Sequence, residues 1–115
     1  MPARLLVAAL AALVLLMGGC AQDDASPGKA TTIEVTFADG DVTPKGERVE
    51  VEHGQPITFQ ISADEAGTLH VHSTPEQEIE YDAGESTHAV TIDQPGVVEV
   101  ESHDLDVVVV QLQVS

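Results

Sequence analysis

The segment Gly67-Thr68-Leu69-His70-Val71-His72 carries the residue types best suited to chemistry in this chain. Side chains two apart on a strand point to the same side and lie about 6.5 to 7 Å apart, so His70 and His72 can turn toward one ion while Leu69 and Val71 enter a core. Neutral imidazoles at that spacing are good ligands for copper or zinc. Two ligands do not close a site, and His103, in the polar loop Ser102-His103-Asp104-Leu105-Asp106, is the third candidate. The competing reading is a plain wet strand face on which a His-x-His pair binds nothing. The two differ in whether the histidines meet. A His103 ring farther than about 7 Å from both other imidazoles would exclude one ion held at about 2.0 to 2.1 Å from each nitrogen.

These residues need strands to position them, and the chain supplies an alternating pattern from Thr32 onward. Ile33, Val35 and Phe37 alternate with polar residues, as do Val49 and Val51, then Ile57, Phe59 and Ile61. Leu69 with Val71, Ile79 with Tyr81, and His88 with Val90 and Ile92 continue the same period. The closing hairpin opens at Pro95-Gly96, and its first strand carries Val98, Val100 and Ser102 on one parity with Glu99, Glu101 and His103 on the other. Eight short strands, punctuated by Asp39-Gly40, Pro44-Lys45-Gly46, Asp64-Glu65-Ala66-Gly67 and Asp82-Ala83-Gly84-Glu85, predict an all-β antiparallel sandwich with Greek-key connections. One Tyr and two Phe leave the core to Val, Ile and Leu, so it is thin.

Other chemistry has little support. No Gly-x-Ser-x-Gly elbow, phosphate-cradling glycine loop, His-Glu-x-x-His motif or Ca²⁺ loop occurs, and the chain is not expected to be an enzyme. His53 and His88 read as structural or surface residues. Glu76, Glu78, Glu80 and Asp82 recur at period two and form a like-charged row, which reads as a solvated or salt-adapted face.

The N-terminus tells where the protein is expected to reside. Arg4 precedes an apolar run from Leu5 to Met17, too short for a permanent span, and Gly18-Gly19-Cys20 follows. This end resembles the bacterial lipoprotein signal over Leu16 to Cys20, with Met17 where that family usually has Leu. The resemblance implies a signal peptide over residues 1–19, a lipidated Cys20 and an anchor in the cell membrane facing the extracytoplasmic side. Residues 20–31, with Asp23, Asp24, Ser26, Pro27 and Gly28, read as a flexible tether, and residues 32–115 as the domain. Removing residues 1–19 from the 115 leaves 96, with 20 acidic residues against Lys29, Lys45 and Arg48, a formal charge of −17. Such a surface repels nucleic acid, so no nucleic-acid partner is expected. Cys20 is the only cysteine, which excludes a disulfide framework.

From Ile33 to Val114 the chain also resembles the cupredoxin-like family of small copper-binding β-sandwiches. Strand order, the mid-chain histidine strand and the Pro95-Gly96 start of the last hairpin carry the likeness. Blue-copper members follow that hairpin with Cys, His and often Met, whereas here Ser102 falls at the cysteine position and no methionine follows. A blue-copper centre is therefore not expected, because it depends on a thiolate. The resemblance implies His70, His72 and His103 as metal ligands, with weaker claims for Glu101 and Asp104. It points to copper ahead of zinc, held or passed on without blue-copper electron transfer, and to a metal transporter or chaperone as partner. The alternative is a metal-free β-sandwich serving as an interaction or accessory module on the cell surface.

Overall fold

A computed structural model describes residues 30–115. The expected signal peptide, Cys20 and the expected tether up to residue 29 lie outside the described residues. Nine strands follow one another: β1 (Thr31–Ala38), β2 (Asp41–Thr43), β3 (Glu47–Val51), β4 (Ile57–Ala63), β5 (Gly67–Val71), β6 (Gln77–Tyr81), β7 (Gly84–Val90), β8 (Gly96–Ser102) and β9 (Val107–Val114). They form a four-stranded sheet, β2-β1-β4-β7, and a five-stranded sheet, β3-β9-β8-β5-β6.

Eight strands were expected, and the ninth is β2. It forms a hairpin with β1 in which Phe37 faces Val42 and Ala38 faces Asp41. Asp39 and Gly40 make the turn at φ of 54° and 74°, the pair of positive values that a two-residue hairpin needs to match strand twist. The Asp39 N–H donates to Asp64 Oδ2 at 2.9 Å, which ties the turn to the end of β4. A three-residue strand with one inward side chain, Val42, is too short to show a period.

The sandwich is also not wholly antiparallel. β1 pairs in parallel with β4, and β3 in parallel with β9, while the remaining pairs are antiparallel. Parallel neighbours need a long crossover. Residues 39–56 provide it for β1 and β4, and because β3 lies in the opposite sheet no helix is required.

The inward sets pack face to face in one continuous core. Phe59, Ile57 and Ile61 of β4 and Leu69, Val71, Val100 and Leu112 of the facing sheet are completely buried. Phe37 of β1 stacks on Tyr81 of β6 with centroids 4.9 Å apart, so the few aromatic rings join the two sheets. The β8–β9 ladder carries a bulge: Val100 pairs with Val110, but Glu101 pairs with Val108. Val109 is the extra residue, and the break in alternation lets Val109 and Val110 both be buried.

Candidate metal centre

Pairing register decides what surrounds the histidines. β5 lies between β6 and β8, with His70 opposite Glu78 on one side and Glu101 on the other. Leu69 and Val71 enter the core, as their alternation requires, so His70 stands on the outward face of the five-stranded sheet. His72 is one residue beyond β5, but its N–H donates to the Glu99 carbonyl at 2.9 Å and continues the ladder to β8. His103 follows the last residue of β8 on the parity of Glu99 and Glu101.

The three rings meet. Centroids of His70 and His103 are 4.1 Å apart, those of His72 and His103 6.1 Å, and those of His70 and His72 6.3 Å. These centroid separations fall inside the limit that a shared ion sets, although His70 stands outside the group whose ligand atoms are mutually close. One ligand atom from each of His72, Glu101 and His103 also lie within 4.8 Å of one another. In a tetrahedral site with bonds near 2.05 Å the ligand atoms sit roughly 3.4 Å apart, so rotation of partly exposed side chains covers the remaining distance. His72 Nε2 and Glu101 Oε2 are already 3.1 Å apart.

Carboxylates line the other side of the pair. His70 Nδ1 is 3.4 Å from Glu76 Oε1 and 3.5 Å from Glu78 Oε1, and His72 Nδ1 is 3.5 Å from the same Glu76 oxygen. The loop that carries Glu76 is pinned from within. Ser73 Oγ donates to the Pro75 carbonyl at 2.8 Å, and Gln77 Nε2 donates to Ser73 Oγ and to the Thr91 carbonyl, each at 3.1 Å. Glu76 and Glu78 read from the sequence as part of a solvated row. Periodicity shows that they share a face but not which strand lies beside that face, and only the β5–β6 register places them against histidines.

Asp104 does not join this group. Its Oδ2 accepts the Thr68 N–H at 3.2 Å, on the Tyr81 side of β5, where it serves the loop rather than an ion. Ser102 is fully buried, and its Oγ accepts the Leu105 N–H at 3.3 Å, so the hydroxyl closes the β8–β9 turn. It faces the core, whereas the histidines face outward. The residues present therefore do not fit a thiolate-bound copper centre, while the outward nitrogens and carboxylate oxygens suit a copper or zinc ion.

The remaining histidines lie elsewhere. His53 Nδ1 bonds the Ser115 carbonyl at 2.8 Å, and His88 Nε2 bonds Ser86 Oγ at 2.9 Å on the inward parity of β7. No carboxylate hydrogen-bonds His88 among the described residues, so the Ser86–His88 pair lacks the third member of a triad.

No protein-family model matches the chain, and no curated protein matches it by sequence. Its backbone is similar to solved cupredoxins. A purple cupredoxin from Nitrosopumilus maritimus superposes with a TM-score of 0.53 at 16% identity, covering 74% of this chain and 99% of that one. Auracyanin A, a "blue" copper protein from Chloroflexus aurantiacus, gives 0.53 at 10% identity over 76% of this chain and all of that one. A point mutant of amicyanin in its reduced Cu(I) form gives 0.52 at 12% identity over 73% of this chain and 82% of that one. With two sheets of four and five strands and these neighbours, the described residues form a cupredoxin-like β-sandwich.

Proposed function

We propose that this protein is a lipid-anchored, extracytoplasmic cupredoxin-like protein that holds or passes on a transition metal, copper ahead of zinc, and is not an enzyme. The observation that carries the reading is the meeting of His70, His72 and His103 within 6.3 Å, from segments some 30 residues apart in sequence. The ligand rings are partly exposed rather than enclosed, which suits an ion that is received and handed on. The acidic surface raises the local concentration of cations. Cys20 and the tether would keep the domain near a membrane transporter or chaperone that supplies or accepts the metal. Ser102 supports a role without blue-copper electron transfer, because no thiolate is available to the ion.

A second reading is a metal-free interaction module, and one observation favours it. Glu76, Glu78 and Glu101 already provide partners for His70 and His72, so the patch is satisfied without an ion. Titration of residues 21–115 with Cu(II), Cu(I) and Zn(II), beside a His70→Ala, His72→Ala double variant, separates the two. Tight binding that the double variant loses supports the metal reading. Equal, weak binding by both proteins selects the interaction module.

A further inference from the structure

We infer that Glu101 is the fourth ligand of this centre, that Glu76 and Glu78 are positioning residues for His70 and His72, and that the site prefers a divalent ion to Cu(I). The inference rests on the metal-binding reading above and specifies its chemistry.

The atoms facing the candidate ion lead to this assignment. His72 has a carboxylate at each nitrogen: Glu101 Oε2 at 3.1 Å from Nε2, and Glu76 Oε1 at 3.5 Å from Nδ1. An imidazole binds a metal through one nitrogen and donates the N–H of the other to an acceptor, most often a carboxylate or carbonyl. Since Glu101 and His103 form the mutually close group with His72, Nε2 is the ligating nitrogen and Nδ1–H is the group donated to Glu76. His70 follows the same pattern. Its Nδ1 faces Glu76 and Glu78, which leaves Nε2 for the side where His103 lies. His72 thus turns Nδ1 toward Glu76 and Nε2 toward Glu101 of β8, while His70 turns Nδ1 toward Glu76 and Glu78.

The β6 row divides on the same basis. Glu78 lies opposite His70, whereas Glu80 lies opposite Thr68, which has no ring to hold. Glu80 carries the same charge on the same strand face and makes no contact with the centre, so it separates position from charge.

Three imidazoles and one carboxylate form a borderline-to-hard donor set without sulfur. Cu(II) and Zn(II) suit it, whereas Cu(I) prefers thiolate or thioether ligands. The described residues offer neither, since Cys20 and both methionines fall outside them.

The test is competitive titration of residues 21–115, which lack Cys20 and both methionines, with Cu(II), Zn(II) and Cu(I), together with the EPR spectrum of the Cu(II) form. It compares the unaltered protein with Glu101→Gln, the Glu76→Gln, Glu78→Gln pair, and Glu80→Gln. Glu101→Gln is expected to weaken Cu(II) and Zn(II) by at least about tenfold and to change the EPR parameters, since an oxygen donor is lost. The Glu76/Glu78 pair is expected to weaken binding by about 10- to 100-fold and to shift the imidazole nitrogen couplings. Glu80→Gln is expected to leave affinity and spectrum unchanged. Equal losses in all three variants would reduce the carboxylates to a general electrostatic effect and overturn the assignment. Tight, unchanged binding and spectra in Glu101→Gln and the pair would overturn it while sparing the metal-binding function. Stronger binding of Cu(I) than of Cu(II) and Zn(II) would overturn the divalent preference, and absence of binding by the unaltered chain would remove the function as well.

Discussion

His72 Nε2 lies 3.1 Å from Glu101 Oε2, although the residue directly across the ladder from His72 is Glu99. The contact is diagonal, and His70 reaches His103 along the same diagonal, one pair further on. Neighbouring strands twist relative to each other, which brings one set of diagonals within reach of long and aromatic side chains. The centre is therefore built by the twist of β5 against β8 as much as by the residues placed there.

If His103 is a ligand as proposed, His103→Ala should weaken Cu(II) or Zn(II) binding by at least about tenfold, because one of a small number of donors is lost. His53→Ala should leave binding unchanged, since His53 bonds the Ser115 carbonyl outside the group. Isothermal titration of both variants checks this, and equal effects would contradict the assignment of His103.

Ser102→Cys should not create a blue-copper protein. The new thiol would occupy a fully buried position facing the core, on the opposite side of the sheet from the histidines. Copper added to the variant should give no intense thiolate-to-copper absorption band, and its appearance would show that residue 102 reaches the ion. Loss of the bond from the Leu105 N–H should destabilise the fold by about 0.5 to 1.5 kcal/mol, measurable by urea denaturation.

Gly67→Ala should destabilise the sandwich by about 1 to 3 kcal/mol, the usual result of forcing an extra carbon into packed surroundings. A β-carbon at Gly67 would collide with the Tyr81 hydroxyl, lie 2.7 Å from Tyr81 Cζ and 2.9 Å from Asp104 Oδ2. The glycine is required by close approach of the Tyr81 ring. Thermal unfolding should show a lower Tm, and an unchanged Tm would mean that Tyr81 moves aside without cost.

Tyr81 should contribute an alkaline limit to stability. Burial first, then the charges of Asp104 and Asp64, push its hydroxyl above the ordinary value of 10.0. The folded protein thus holds the proton more tightly than the unfolded chain. The associated stability is complete below pH 10.0 and is lost as pH climbs from there through the folded-state value. Tyr81→Phe should flatten the decline measured by denaturation as pH rises above 10.0, and an unaltered slope would assign the decline to other groups.

Much of the frame was legible because side-chain alternation is a local property. Ile33, Val35 and Phe37, or Ile57, Phe59 and Ile61, must share a face once the chain is extended, and all six are buried. The Asp39-Gly40 hairpin was equally local, but its return strand is only three residues long and left no period to read. Parallel pairing of β1 with β4 and of β3 with β9 was not legible, because strand direction depends on which sheet each connection crosses into.

For the site, His70 and His72 were visible from their spacing, and His103 from its place in the closing loop. Neighbours across a ladder depend on register, and register is set by the whole buried face rather than by any local run. That is why Glu76 and Glu78 looked like solvated charges until β6 was paired with β5, and why Glu101 and Asp104 were indistinguishable. The sequence alone determined that outward histidines would alternate with core residues and that Ser102 would carry no thiolate. Tertiary structure decided that three rings and a carboxylate converge on the outer face of one sheet, because only the packing of β6, β5 and β8 in a fixed register and twist brings those side chains together.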